Sequence, residues 1–148
     1  MLSVRIKEKA AKIRLLALDV DGVQELKTFD TQDGHGIKML QSAGIEVAII
    51  TGRTTALVQR RAANLKIKHL LQGREDKLVA LKELITELGY ELEEVAYVGD
   101  DWPDLPAILA SGLGIAVANA HSELRTRADH VTTLTGGRGA VREVCDLL

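Results

Sequence analysis

Leu15-Leu16-Ala17-Leu18-Asp19-Val20-Asp21-Gly22-Val23 is the stretch that decides the fold of this 148-residue chain. Four consecutive apolar residues do not suit a half-solvated strand. Both faces are therefore expected to be covered, as in a parallel sheet flanked by helices. Asp19 and Asp21 then fall at the carboxyl end of the strand, the edge where open α/β sheets bind ligands. Two acids one residue apart on a bending backbone can approach one cation, and Gly22 lets the chain come close to an anion. A strand ending in an Asx turn has the same local sequence, so the stretch alone does not separate the two readings.

Outward from it, strands and helices alternate. A short amphipathic helix is expected over Ser3 to Lys12, and the first strand over Arg14 to Val20. Gln24 to Asp30 reads as an extended arm. A helix from Asp33 to Ala43 stops at Gly44. Strands are expected at Glu46 to Ile50, Lys68 to Leu71, Val95 to Val98, Leu113 to Val117 and His130 to Val131. Helices are expected at Thr54 to Leu65, Asp76 to Leu88, Pro103 to Ser111, Ser122 to Arg127 and Gly139 to Leu148. Leu78, Leu81, Leu84, Ile85 and Leu88 form the apolar stripe of the helix from Asp76, a stripe that leaves out Lys77. The alternation predicts a single domain over residues 1–148. It is α/β, a Rossmann-like three-layer α/β/α sandwich on a parallel sheet.

Composition removes several classes of function. The net charge is -2, so there is no general basic footprint for nucleic acid, and aromatics at 3% leave little material for base stacking. No apolar run reaches membrane-spanning length, and Met1 to Lys12 has no signal-peptide core. Cys145 is the only cysteine, which excludes an intrachain disulfide and fits a reducing, cytoplasmic setting.

Three strands end in chemically loaded loops: Asp19 and Asp21, then Thr51-Gly52-Arg53, then Asp100 and Asp101 with Asp104 behind them. Lys77 stands at the start of the long helix. Each has a plain alternative, such as a helix cap or a solvated lysine, but their joint order at strand ends argues for one site. Asp19, Asp21 and Asp100 offer hard oxygen ligands suited to Mg²⁺. Thr51 and the backbone N–H of Gly52 can hold phosphate oxygens at a helix N-terminus. Lys77 can neutralise nucleophile and transferring group, Asp19 can attack phosphorus, and Asp21 can act as acid and then base.

The sequence resembles the haloacid dehalogenase superfamily, whose four motifs match Asp19-Val-Asp21-Gly22, Thr51-Gly52-Arg53, Lys77 and Gly99-Asp100-Asp101-Trp-Pro-Asp104. Asp33-Gly-His-Gly-Ile37, Ala48-Ile-Ile-Thr-Gly-Arg53, Asp104-Leu-Pro106 and Gly136-Gly-Arg-Gly-Ala-Val-Arg-Glu143 are similar to the 3-deoxy-D-manno-octulosonate 8-phosphate phosphatases. The resemblance runs from about Arg14 to the end. It implies a Mg²⁺-dependent cytoplasmic phosphatase of an acidic sugar phosphate in lipopolysaccharide precursor synthesis, usually a homotetramer. Asp101 and Asp104 would support the metal from behind. Relatives acting on nonulosonate 9-phosphates share most of the pattern but tend to carry an acid at the position of Arg53.

The family's β-hairpin flap after Val23 is largely missing here, since Val23 joins Gln24 directly. This is either a genuine deletion or a flap left out of the recorded chain. Short spans after Asp21 and between Lys77 and Asp100 leave no room for a cap domain, so closure by a neighbouring subunit is expected. Arg60 and Arg61 can reach a substrate carboxylate or simply form a solvated face. His35 can line the same mouth or only mark helix-start geometry. Trp102 and Tyr97 read as packing residues. A phospho-aspartate receiver module is the rival from another class, but it wants adjacent acids after the first strand and its phospho-acceptor after the third, whereas this chain has Asp-x-Asp after the first and no acid at Leu71-Gln72-Gly73.

Overall fold

The computed structural model describes residues 4–19, 31–52, 54, 56–135 and 139–148. The expectations for Asp21, Gly22, Arg53, the arm at 24–30 and the glycine-rich 136–138 lie outside the described residues. The elements are α1 (Val4–Ala11), β1 (Leu15–Asp19), α2 (Thr31–Ser42), β2 (Glu46–Ile50), α3 (Ala56–Asn64), β3 (His69–Leu71) and α4 (Lys77–Leu88). They continue with β4 (Val95–Gly99), α5 (Leu105–Ala110), β5 (Leu113–Ala116), α6 (Ser122–Arg127), β6 (His130–Val131) and α7 (Ala140–Leu147). Short 3-10 turns at Leu92–Glu94 and Trp102–Asp104 precede β4 and α5.

All strands are parallel, in the order β3-β2-β1-β4-β5-β6. The chain therefore starts in the middle, winds to one edge and returns to the other. Right-handed crossovers put α2 and α3 on one face of the sheet and α4, α5 and α6 on the other. The switch of direction falls between β1 and β4, the position at which open α/β sheets bind ligands beyond the carboxyl ends of their strands. β1 is buried along nearly its whole length, as its apolar run requires, with Leu15, Leu16, Ala17 and Leu18 inaccessible to solvent or nearly so. Between Lys77 and Asp100 the chain holds only α4, a 3-10 turn and β4, so no cap domain is inserted there.

Two differences from the sequence reading have physical reasons. α2 starts at Thr31, two residues before the expected Asp33, and Gly34 and Gly36, already within the expected helix, stand further from its start. A Cβ on Gly36 would lie 2.9 Å from Cδ of Arg142 and 3.0 Å from Cβ of Cys145. The glycine thus serves the close approach of α7 to α2 rather than a turn. The helix expected from Pro103 to Ser111 is divided into a 3-10 turn and α5, because the Asp104 side chain folds back onto the backbone that precedes it. Gly89, with φ of 79°, ends α4 in the left-handed conformation, as expected.

At the opposite, amino-terminal edge of the sheet, Glu46 accepts hydrogen bonds from Tyr90 Oη at 2.6 Å and pairs with His69 Nε2 at 3.0 Å. The Tyr90 bond, then His69, hold the Glu46 carboxyl below the usual glutamate range, while the same bond pushes the Tyr90 phenol up. A carboxylate whose folded-state value is depressed stabilises the fold above the ordinary glutamate range and loses that contribution as pH falls. Tyr90→Phe is expected to lower Tm by about 2–4 °C at neutral pH, and by nothing measurable near pH 3. Thermal melts of the two proteins across that range check this; a pH-independent gap would contradict it.

Candidate active site

β1 and β4 are neighbours in register, Leu18 opposite Val98, so Asp19, the last residue of β1, and Asp100, the first after β4, stand close together at the sheet edge. β2 flanks β1 on its other side with Ile50 opposite Asp19, which sets Thr51 at the same edge. Thr51 is fully buried; its N–H donates to the Leu71 carbonyl at 2.8 Å and its carbonyl accepts from Arg74 N–H at 2.9 Å. The loop that leads into α4 is thereby tied to the end of β2.

That loop delivers Lys77. The ammonium donates to Asp19 Oδ1 at 2.7 Å and lies 3.4 Å from Asp104 Oδ1, and all three side chains are almost completely shielded from solvent. The expected apolar stripe of α4 is corrected in one respect. Lys77 lies on the buried side together with Ala80, Leu81, Leu84 and Ile85, while Leu78 and Leu88 are only partly covered. Its four-carbon stem packs in the core and its charge emerges beneath Asp19.

Asp104 is the second anchor. Its Oδ1 accepts from Tyr97 Oη at 2.6 Å, and its Oδ2 accepts from the backbone N–H groups of Asp100 at 3.1 Å and Asp101 at 3.3 Å. Gly99 makes this possible, since a Cβ there would stand 2.5 Å from Cβ of Asp104. Asp101 turns its carboxylate to the N–H of Trp102 at 2.8 Å and so caps the 3-10 turn. The Asp100 carbonyl accepts from His121 N–H at 3.0 Å, which fastens the β4 loop to the start of α6.

Asp19, Asp100 and Asp104 each offer an oxygen within 4.8 Å of the others. This all-carboxylate set, without His or Cys, fits a hard divalent cation such as Mg²⁺. Both Asp104 oxygens already accept hydrogen bonds, so Asp104 suits the role of orienting the Asp100 loop, and Asp19 and Asp100 are the residues that would hold an ion. Asp21, the third expected ligand, lies outside the described residues.

The substrate-side expectations fare differently. Arg60 and His35 are exposed and Arg61 is half-buried, on α3 and α2 rather than at the strand ends. The Arg61 guanidinium lies near Gly34 of α2, 3.3 Å from where a Cβ would be. Tyr97 packs as expected, but its hydroxyl also holds Asp104, a role that the sequence reading missed. The available signal was a tyrosine inside a buried strand, whose hydroxyl needs a partner. The packing role read for Trp102 is corrected: it is 50% exposed, and its ring lies 4.8 Å from that of His121. It follows a loop whose polar groups bind each other and leave the indole at the rim.

Lys77→Met keeps the stem and removes the charge. Breaking a buried ion pair typically costs about 3–5 kcal/mol. Met should therefore lower Tm clearly, and added divalent cation should recover part of the loss by neutralising the buried carboxylate charge that the lysine no longer balances. An unchanged Tm without metal would show that the ion pair carries no stability.

Residues 69–143 match the model of the haloacid dehalogenase-like hydrolases. The chain is 51% identical to the 3-deoxy-D-manno-octulosonate 8-phosphate phosphatase KdsC of Escherichia coli strain K12, over 99% of this chain and 85% of the relative. The same enzyme from Moraxella catarrhalis, solved in complex with a magnesium ion, a phosphate ion and KDO, superposes with a TM-score of 0.91 at 47% identity, covering 96% of this chain and 88% of that one. The Yersinia pestis enzyme gives a TM-score of 0.94 at 47% identity, covering 99% and 85%. With this agreement over nearly its whole length, in sequence and in fold, the chain belongs to the haloacid dehalogenase-like hydrolases, in the family of the 3-deoxy-D-manno-octulosonate 8-phosphate phosphatases.

Proposed function

We propose that this chain is a Mg²⁺-dependent phosphatase that hydrolyses 3-deoxy-D-manno-octulosonate 8-phosphate to the free sugar acid and phosphate. The observation that carries the chemistry is the buried Lys77–Asp19 contact at 2.7 Å, at the one sheet edge that also holds Asp100 and Thr51. The close relatives that bear this activity in their names support the substrate.

Lys77 fixes one oxygen of Asp19 and so orients the carboxylate as a nucleophile. An Asp19 oxygen forms a bond to phosphorus as the bond from phosphorus to the sugar oxygen breaks. Asp21 gives the leaving oxygen its proton. Asp21 then takes a proton from water as the water oxygen attacks phosphorus, which releases phosphate and restores the Asp19 carboxylate. Thr51 and the Gly52 N–H hold the phosphoryl oxygens, and Lys77 balances the charge that accumulates between them. Asp19, Asp100 and the Asp21 carbonyl would hold the metal, which supplies charge neutralisation on the phosphoryl group. Asp104 keeps the Asp100 loop in place. Gly22, Arg53, Arg60, Arg61 and His35 remain candidates for contacts to phosphate and sugar.

Asp19→Asn is expected to leave the fold intact and abolish phosphate release, a loss of about a thousandfold or more. Chelation should remove the activity and Mg²⁺ restore it. Phosphate release from a panel of phosphorylated acidic sugars tests the substrate, with the octulosonate 8-phosphate as best substrate and a nonulosonate 9-phosphate as the competing reading. Substantial turnover by folded Asp19→Asn protein would rule out the mechanism, and a stable phospho-protein without turnover would favour the receiver-like alternative.

The assembly and setting follow as parts of the same reading: a cytoplasmic homotetramer serving lipopolysaccharide precursor synthesis, each site closed partly by a neighbour. The alignment to the K12 relative extends over 159 residues against 148 in this chain, so the relative carries residues within the aligned span that have no counterpart here. Light scattering and activity across a dilution series test shared closure. Activity should fall as the oligomer dissociates; a fully active monomer would refute it.

A further inference from the structure

Glu75 was not singled out by any motif, yet its carboxylate lies against Gly52. A Cβ built on Gly52 would collide with Glu75 Oε1 and stand 2.8 Å from its Cδ. The placement follows from the backbone. Thr51 is joined to Leu71 and Arg74 by hydrogen bonds of 2.8 and 2.9 Å, so the segment before α4 runs directly beside the 51–52 turn. Arg74 is committed elsewhere: its guanidinium grips Asp76 through two bonds of 2.8 and 2.9 Å and reaches Glu83 at 2.9 Å. The clasp between residues 74 and 76 turns the intervening Glu75 the other way, onto Gly52. Lys77, the next cation, is engaged by Asp19 and Asp104. Among the described residues none forms an ion pair with Glu75.

We propose that Glu75 is a positioned anionic competitor at the phosphate cradle, which weakens the hold of Gly52 on phosphate and so limits retention of the product. This rests on the reading of Thr51 and Gly52 as phosphate-binding residues. A carboxylate on the surface that receives phosphate repels a dianion and must be displaced before phosphate settles. Both effects oppose substrate and product alike. The residue therefore acts on binding, while the nucleophile and its lysine act on the chemical step.

The test compares the full chain with Glu75→Gln and Glu75→Ala, in saturating Mg²⁺. Inorganic phosphate is the probe, both as competitive inhibitor of sugar-phosphate hydrolysis and by direct calorimetric titration without substrate. Both variants should bind phosphate about three- to tenfold more tightly. KM should fall by a similar factor, kcat should not fall, and Tm should be unchanged, since the Glu75 side chain is exposed. Phosphate affinity unchanged or weaker in both variants would overturn the proposal. So would a raised KM with unchanged phosphate affinity, which would make Glu75 a partner of a substrate hydroxyl. If the unaltered chain hydrolyses the sugar phosphate yet the variants fail in this way, only Glu75 is misread. If the unaltered chain neither hydrolyses it nor binds phosphate, the reading of the site itself falls, and this proposal with it.

Discussion

The contact between Lys77 and Asp19 is the constraint on which the rest of the structure depends. An ammonium and two carboxylates stand together with almost no exposure. Removing such charges from water is expensive, and only good geometry with additional hydrogen bonds compensates for it. The additional bonds are present: Tyr97 Oη and the N–H groups of Asp100 and Asp101 all donate to Asp104. Each donor needs a particular local structure. Tyr97 must point inward from β4, and Gly99 must lack a side chain so that Asp104 can fold back. Lys77 must stand at the first turn of α4. The ion pair and the fold around it are one arrangement.

The sheet order makes that arrangement useful. Because the winding reverses between β1 and β4, the connections from them leave in opposite directions, and this edge collects Asp19 and Asp100 from segments 81 residues apart in numbering. The loops are fastened to one another by backbone bonds, Thr51 to Arg74 and Asp100 to His121. Such bonds fix the groups at this edge with little room for reorganisation, which is the condition that electrostatic catalysis requires. The relative solved with a magnesium ion, a phosphate ion and KDO has this fold.

Near the same edge, charges are divided between two tasks. Lys77 and the buried acids form a shielded group with fixed partners. Arg74, Asp76 and Glu83 form an exposed clasp that lowers both acids below their ordinary range and raises the arginine, without taking part in the site. Glu75 stands between Arg74 and Asp76 in sequence and belongs to neither group.

Much of the molecule was legible in the chain itself. The apolar run at 15–18, the alternation of strands with helices and the loaded strand ends determined a parallel α/β sheet with one active edge. They also pointed to Asp19, Asp100, Asp104, Thr51 and Lys77, which stand together at that edge. Periodicity and motif order carry that information because they record burial and strand direction, which are local properties. The tertiary structure alone decided that Lys77 is a core residue, since its stem lies on a buried face that the leucine pattern did not reveal. It alone set Tyr97 against Asp104, gave Gly36 to the packing of α7, left Trp102 at the rim and brought Glu75 over Gly52. These facts depend on which backbone segments approach one another across the sheet, and a contact between residues 23 positions apart, such as Glu75 and Gly52, leaves no period in the sequence.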